Sequence, residues 1–240
     1  MDFELSKIQK EIQKAVREFA KGEFDKDLAL ELEQKHEFPK KIWEKAGDLG
    51  LIGVHFPEEY SGQGLGCLED ILVIEELCRA DSTIGSAVAL SSFASELILH
   101  FGSHEQKERW LPQVTEAKML SAGAFTEPDH GSDITFMDTE ALKDGDEWVI
   151  NGSKIFITNG GLAGFYSVLC QTDPEVKPSY RGQSLILVEA DRPGLSTADV
   201  GQKMGIRMMA TAEVNFKDVR VPQTNTIGQE GKGFYHVLHF

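Results

Sequence analysis

At 240 residues, with 41% apolar and 26% charged side chains, the chain has an ordinary globular composition and room for one large domain or two smaller ones. Its 24 Lys and Arg against 39 Asp and Glu leave a net charge of −15, a surface that repels nucleic acid and anionic membrane and argues against both as partners. The three cysteines, Cys67, Cys78 and Cys170, form no CxxC pair, so a reducing compartment without a disulfide framework is expected.

The amino terminus, MDFELSKIQK, has neither a signal pattern nor an Arg-rich transit pattern, and a bacterial cytoplasm is the expected location. Leu5, Ile8, Ile12, Val16 and Phe19 then recur at intervals of three and four, which predicts one amphipathic helix. Trp43, Ala46 and Leu49 predict a second, stopped by Gly50. FPEEYSGQGLG (56–66) reads as a Pro/Gly-punctuated loop, and LEDILVIEELCRA (68–80) as a third helix. TIGSAVALSSFASELIL (83–99) is apolar enough to suggest a membrane span. Its serines and Glu96 predict a buried helix of a bundle instead, without membrane insertion. Ser103 and Gln106 have capping-box spacing ahead of HEQKERWLPQV.

After AGAFTEPDHGSD (122–133) the period changes. EWVINGSKIFIT (147–158) reads as two short β runs joined by Asn151-Gly152, a hairpin signal because both turn positions tolerate positive φ. FYSVLCQT, SLILVEA and AEVNFKDVRV follow as strands, with Val214 and Phe216 in alternating, half-buried register. GKGFYHVLHF (231–240) looks like the start of a further helix. The fold class expected is multi-domain α and β. A helical amino-terminal domain (1–120) precedes an antiparallel, barrel-like β middle domain (121–228), and 229–240 opens a carboxy-terminal helical domain.

Most motifs have bland readings. GQGLG and GGLAG lack the strand–turn–helix setting of a dinucleotide fingerprint and read as loops. His100 with His104, and His236 with His239, lack a supporting ligand pattern, so no metal is expected. Glu75-Glu76 and Glu58-Glu59 are adjacent and face apart, unlike an acid/base pair. The 122–133 stretch and KIFITNGG (154–161) are, singly, a turn and a core strand. Together they offer the hydroxyls of Thr126, Ser132 and Thr158, the apolar walls of Phe125 and Phe156, and Gly131 for close backbone approach. That set suits a flat ring with a polar edge, without naming the ring.

AFTEPDHGSD resembles the TEPxAGSD signature of the acyl-CoA dehydrogenase family, and NGSKIFITNG its NGxKxWITNG strand. FPEEYSGQGLG, FGSHEQKERWLP and KMGIRMMATAEVNFKDVRVPQTNTIGQEGKGF are similar to further landmarks of that family, in the same order along essentially the whole chain. The resemblance implies FAD held between the middle domain and a helical carboxy-terminal domain, and α,β-dehydrogenation of an acyl-CoA thioester. It also implies transfer of electrons to an electron-transferring flavoprotein, and a homotetramer when complete. Carried over by position, Phe125 and Thr126 would contact the flavin, and Gly131 and Ser132 would give backbone and hydroxyl contacts, Ser132 also reaching the acyl-CoA. Phe156, where the family commonly has Trp, would cover a ring face, followed by Ile157 and Thr158. The same resemblance puts the catalytic base beyond residue 240.

The chain departs from the pattern at His130, where Ala is usual, and at Met208 and Met209, which replace residues that are commonly small or polar. Two other readings share these motifs: an oxygen-using acyl-CoA oxidase or flavin monooxygenase, and a noncatalytic binding module.

Overall fold

The computed structural model describes residues 4–240. The chain divides into two compact units. One takes the chain to Ser91 and adds Pro112–Lys118 and Gln202–Met209; the other comprises Ser92–Leu111, Met119–Gly201 and Ala210–Phe240.

The first unit is helical. α1 (Lys7–Glu23) starts at a reciprocal cap in which the Gln9 N–H donates to Ser6 Oγ and the Ser6 N–H to Gln9 Oε1. Val16 and Ala20 are buried on its inner face, whereas Ile8 of the predicted stripe points outward. α2 (Lys26–Lys35), capped by Asp25, has no predicted counterpart: Leu28 and Leu30 are exposed, so no apolar stripe announces it. α3 (Lys40–Asp48) buries Trp43 and Ala46 and ends before Gly50, whose φ of +66° suits glycine. α4 (Cys67–Ala80) packs on α1 through a two-pronged Arg17–Glu76 pair, both contacts 2.6 Å. α5 (Ser82–Ala89) follows.

The stretch read as one helix from Thr83 to Leu99 is three pieces. After α5 come a 3-10 turn (Leu90–Ser92) and α6 (Glu96–Phe101). Ser91 and Ser95 turn their hydroxyls onto the Val88 and Ser92 carbonyls, and Ala94 takes φ +66°. Serines that hydrogen-bond their own backbone compete with the helix ladder, and the helix breaks there.

In the second unit the Ser103–Gln106 box forms as predicted and opens α7 (His104–Thr115), whose residues from Pro112 onward belong to the helical unit. The strands are β1 (Leu120–Ala124), β2 (Glu140–Asp144), β3 (Glu147–Thr158), β4 (Ala163–Gln171), β5 (Gln183–Glu189), β6 (Leu195–Asp199), β7 (Thr211–Pro222) and β8 (Thr226–Ile227). They form a mostly antiparallel sheet in the order β6-β7-β3-β2-β4-β5-β8, with β1 parallel to β4. Trp148, Ile150, Tyr166, Val168, Ile186 and Val214 are among its core. A short helix, α8 (Gly233–His239), ends the described chain.

The expected hairpin at Asn151-Gly152 is corrected by the structure. β3 runs unbroken from Glu147 to Thr158, and the β2–β3 turn is Gly145-Asp146, closed by Asp144 opposite Glu147. Asn151-Gly152 is a bulge against β7 instead, where Asn151 exchanges hydrogen bonds with Asp218. Gly152 has φ +148°, and a Cβ there would come 2.5 Å from Thr139 Oγ1. Tolerance of unusual φ serves a bulge as well as a turn, so the dipeptide alone does not distinguish them.

Candidate functional site

Two segments of the β unit carry the predicted site residues. The first leaves β1 at Ala124 and returns at Thr139; Glu127 and His130 exchange both main-chain hydrogen bonds, making Pro128-Asp129 a tight turn. The second is the last stretch of β3. The Ile155 N–H donates to the Thr126 carbonyl at 2.9 Å, which lays the two segments side by side.

Phe125 and Thr126 are half-buried, with the Phe125 ring 6.4 Å from that of Phe240. Gly131 and Ser132 are exposed. Nothing in the fold requires glycine at 131, since a Cβ would meet no atom within 4 Å. Phe156 is 65% exposed and has φ +58° at a second bulge of β3, between Lys154 and Ile157. A bulky side chain in the left-handed region costs about 1–3 kcal/mol, and a bulge is a common means of re-aiming a side chain. Thr158 is half-buried, while Ile157 packs into the sheet core at 2% exposure and offers a ligand its backbone only. Beyond Thr158, Asn159 (φ +63°) is buried and its amide donates to the Ser121 carbonyl, fixing the end of β3 to β1.

Sequence reasoning passed over the pair that joins these segments. Lys154 occupies a core-facing position of β3, wholly buried. Its Nζ reaches Glu127 Oε1 at 2.7 Å, the Phe125 carbonyl at 3.2 Å and Met137 Sδ at 3.1 Å. Glu127, 2% exposed in its side chain, also accepts the N–H groups of Asp138 (2.7 Å) and Thr139 (2.9 Å). Burial pushes its carboxyl up, but Lys154 and the hydrogen-bond donors outweigh that and hold it below the usual carboxylate range. Burial draws the Lys154 ammonium down against the pull of its partners. The short Nζ–Oε1 contact and the two backbone donors to Glu127 are the hydrogen bonds an ion pair would use. Neighbouring Cys170, enclosed in the sheet, has its thiol pushed up to about 12 by burial and is inert. The sequence signal was a lysine in a strand position whose alternation calls for an apolar residue.

Glu127, His130 and Asp138 bring one donor atom each within 4.8 Å of one another. Lys154 already engages Glu127, and His130 Nε2 faces Asp138 Oδ2 at 3.2 Å, so the three side chains already have partners without an ion. Met208, at the second departure from the motif, is buried in the helical unit, where Glu33 accepts the N–H groups of Arg207 and Met208. Two clefts of about 620 and 520 Å³ share Arg109 and Trp110, and neither is lined by a predicted site residue. The candidate site is an open seat: an exposed aromatic, threonine hydroxyls and a glycine-bearing loop.

Residues 6–118 match the acyl-CoA dehydrogenase N-terminal domain and residues 122–219 the acyl-CoA dehydrogenase middle domain. The chain is 39% identical to acryloyl-CoA reductase (NADH) from Anaerotignum propionicum over 98% of its own length and 59% of that relative's. Two solved structures superpose well. The acyl-CoA dehydrogenase from Geobacillus kaustophilus gives a TM-score of 0.93 at 34% identity, covering 100% of this chain and 63% of that one. A chain described with the electron transferring flavoprotein of Acidaminococcus fermentans gives 0.92 at 37% identity, covering 99% and 62%. The sequence thus spans about three fifths of these relatives' lengths. With both domains matched in order and the fold shared, the chain belongs to the acyl-CoA dehydrogenase family.

Proposed function

We propose that this chain carries the flavin-facing part of an FAD-dependent enzyme that converts an acyl-CoA thioester to the 2-enoyl-CoA and passes electrons to an electron-transferring flavoprotein. The observation that carries the reading is the Phe156 bulge. A strained, mostly exposed aromatic beside Thr158 and the Thr126 loop suits one face of a planar ring. FAD, when bound, supplies the two-electron acceptor that the amino-acid side chains lack.

The chain's own residues then have definable tasks. Thr126 and Thr158 hydroxyls donate to the polar edge of the ring, and Phe125 and Phe156 shield its faces from water. Ile157 contributes its backbone. Gly131 lets the loop backbone come close, and the Ser132 hydroxyl reaches toward both the cofactor and the acyl-CoA. Because the net charge is −15, the phosphates of either ligand are held by such local N–H and O–H groups rather than by the overall field. Hydrogen bonds to the thioester carbonyl stabilise the charge left when the α-proton is removed, and exclusion of water strengthens them. No residue among 1–240 is assigned as the base. The same reading includes a homotetramer and a bacterial cytoplasm.

A second direction of flow is favoured by one finding: the relative from Anaerotignum propionicum is a reductase by name. The experiment is to record the visible spectrum of the purified protein and add acyl-CoAs and 2-enoyl-CoAs without oxygen. Bleaching of an oxidised flavin band by a saturated acyl-CoA is the expected result. Reoxidation of reduced flavin by an enoyl-CoA alone would assign the reductase direction, and rapid oxygen consumption would assign an oxidase. No flavin uptake at all would overturn the proposal.

A further inference from the structure

Lys154 is an expensive residue for a sheet interior. An apolar side chain in its place would match its neighbours Ile150 and Ile157, and buried ion pairs are often no more stabilising than well-packed apolar substitutes. Its contacts show a geometric role. Nζ binds Phe125 and Glu127 on the outgoing limb of the 125–139 loop and Met137 on the returning limb. Glu127 ties the same returning limb through the Asp138 and Thr139 N–H groups. Between them the pair closes the neck of the loop that carries Gly131 and Ser132. One residue along β3 from Lys154, the Ile155 N–H holds the Thr126 carbonyl, and Phe156 follows immediately.

We infer that Lys154 and Glu127 are positioning residues: a buried ionic clip that sets the spacing between the two segments facing the flavin. The inference rests on the flavin reading above and extends it to residues that touch no cofactor. Charged hydrogen bonds suit the task because they are directional where apolar packing is not. In an interior from which water is excluded, a shift of either limb leaves an unpaired charge, so the loop has one acceptable position. The clip therefore fixes the Thr126 and Phe156 backbones before any ligand arrives, sparing the cofactor the work of ordering them.

The test is the double variant Lys154→Met/Glu127→Gln, which removes both charges while roughly keeping volume, compared with wild type by three measurements. These are the urea midpoint, amide exchange at Ile155, Asp138 and Thr139, and FAD titration followed by visible absorbance and circular dichroism. The inference expects a folded protein with a midpoint close to wild type, exchange at those amides faster by about tenfold or more, and FAD affinity weaker by about tenfold or more with an altered flavin dichroism. A folded variant with wild-type exchange and wild-type flavin binding would overturn it. So would fast exchange with unchanged affinity and dichroism, since the loop's spacing would then not matter to the cofactor. If the double variant does not fold, Glu127→Gln alone is read by the same exchange and binding criteria. Wild-type protein that takes up no FAD would overturn the flavin reading and the cofactor half of this inference, while the exchange comparison still decides whether the clip holds the two segments together.

Discussion

Two buried glutamates in this chain solve the same problem differently. Glu76, on α4, accepts both prongs of Arg17 from α1, and the Arg17 side chain remains 51% exposed. Glu127, in the β unit, pairs with a lysine that is 0% exposed. In the helical pair the cation keeps its head in water and the long stem spans the helix surface. In the β pair both charges are out of water and depend on each other and on backbone groups. The first arrangement is expected to bear loss of the cation better, because the place of the half-exposed Arg17 side chain is open to water. The second, enclosed on both sides, is expected to bear it worse. The flavin seat proposed above lies beside the second kind of pair, whose rigidity such a seat would use.

Removing each cation alone is the strongest way to break the comparison. Lys154→Met should cost about 3–5 kcal/mol, because it strands a buried carboxylate. Arg17→Met should cost clearly less. Urea unfolding of both variants side by side gives the ranking, and equal losses would remove the distinction drawn above.

A smaller effect comes from pressing on the β pair through its backbone. Gly152→Ala would push a Cβ to within 2.6 Å of Thr139 Cα, and the Thr139 N–H is one of the donors to Glu127. The expected loss is about 1–3 kcal/mol, with faster exchange of the Thr139 amide. A neutral Gly152→Ala would mean that the bulge relaxes without disturbing the clip.

Acid sharpens the picture in two windows. Burial holds His236 below its ordinary value, and its imidazole stacks on Phe101 at 4.0 Å. A depressed folded-state value means stability fully present above about pH 6.5 and lost as pH falls through the folded value. Glu127 follows the same sign lower down, its contribution present above about pH 4.3 and lost below. Unfolding free energy measured from pH 7 to 5 should therefore decline, and His236→Gln should flatten that slope while leaving the lower window in place.

The smallest expected change is a gain. Phe156→Asn should raise stability by up to about 1 kcal/mol, since Asn accepts the left-handed region that Phe resists. The same variant should bind flavin less well. A gain in stability without loss of flavin affinity would show that the strained aromatic is not part of the seat.

The helical-to-β change of period, the capping box at Ser103 and the segments that form β3, β4, β5 and β7 were legible because each has a local physical signal, whereas β1, β2, β6 and β8 were not read. α2 was not, since Leu28 and Leu30 face solvent and leave no stripe. Asn151-Gly152 misled because positive-φ tolerance fits a bulge as readily as a hairpin. The proposed site residues stood out in the sequence as hydroxyl, aromatic and glycine positions in two segments, which the fold lays side by side, but the pairing of Lys154 with Glu127 did not. Their pairing spans 27 residues and exists only once β3 and the loop are folded together. A lysine in an alternating strand was the available clue, and periodicity alone gave it no partner.

The most direct test of the central claim is titration of the purified protein with FAD, comparing wild type with Thr126→Ala/Thr158→Ala by visible absorbance and circular dichroism. The account predicts saturable binding to wild type and affinity weaker by about tenfold or more in the variant, as loss of two hydrogen bonds to a bound ligand implies. Absence of saturable binding to wild type, or equal binding by a folded variant, would contradict it.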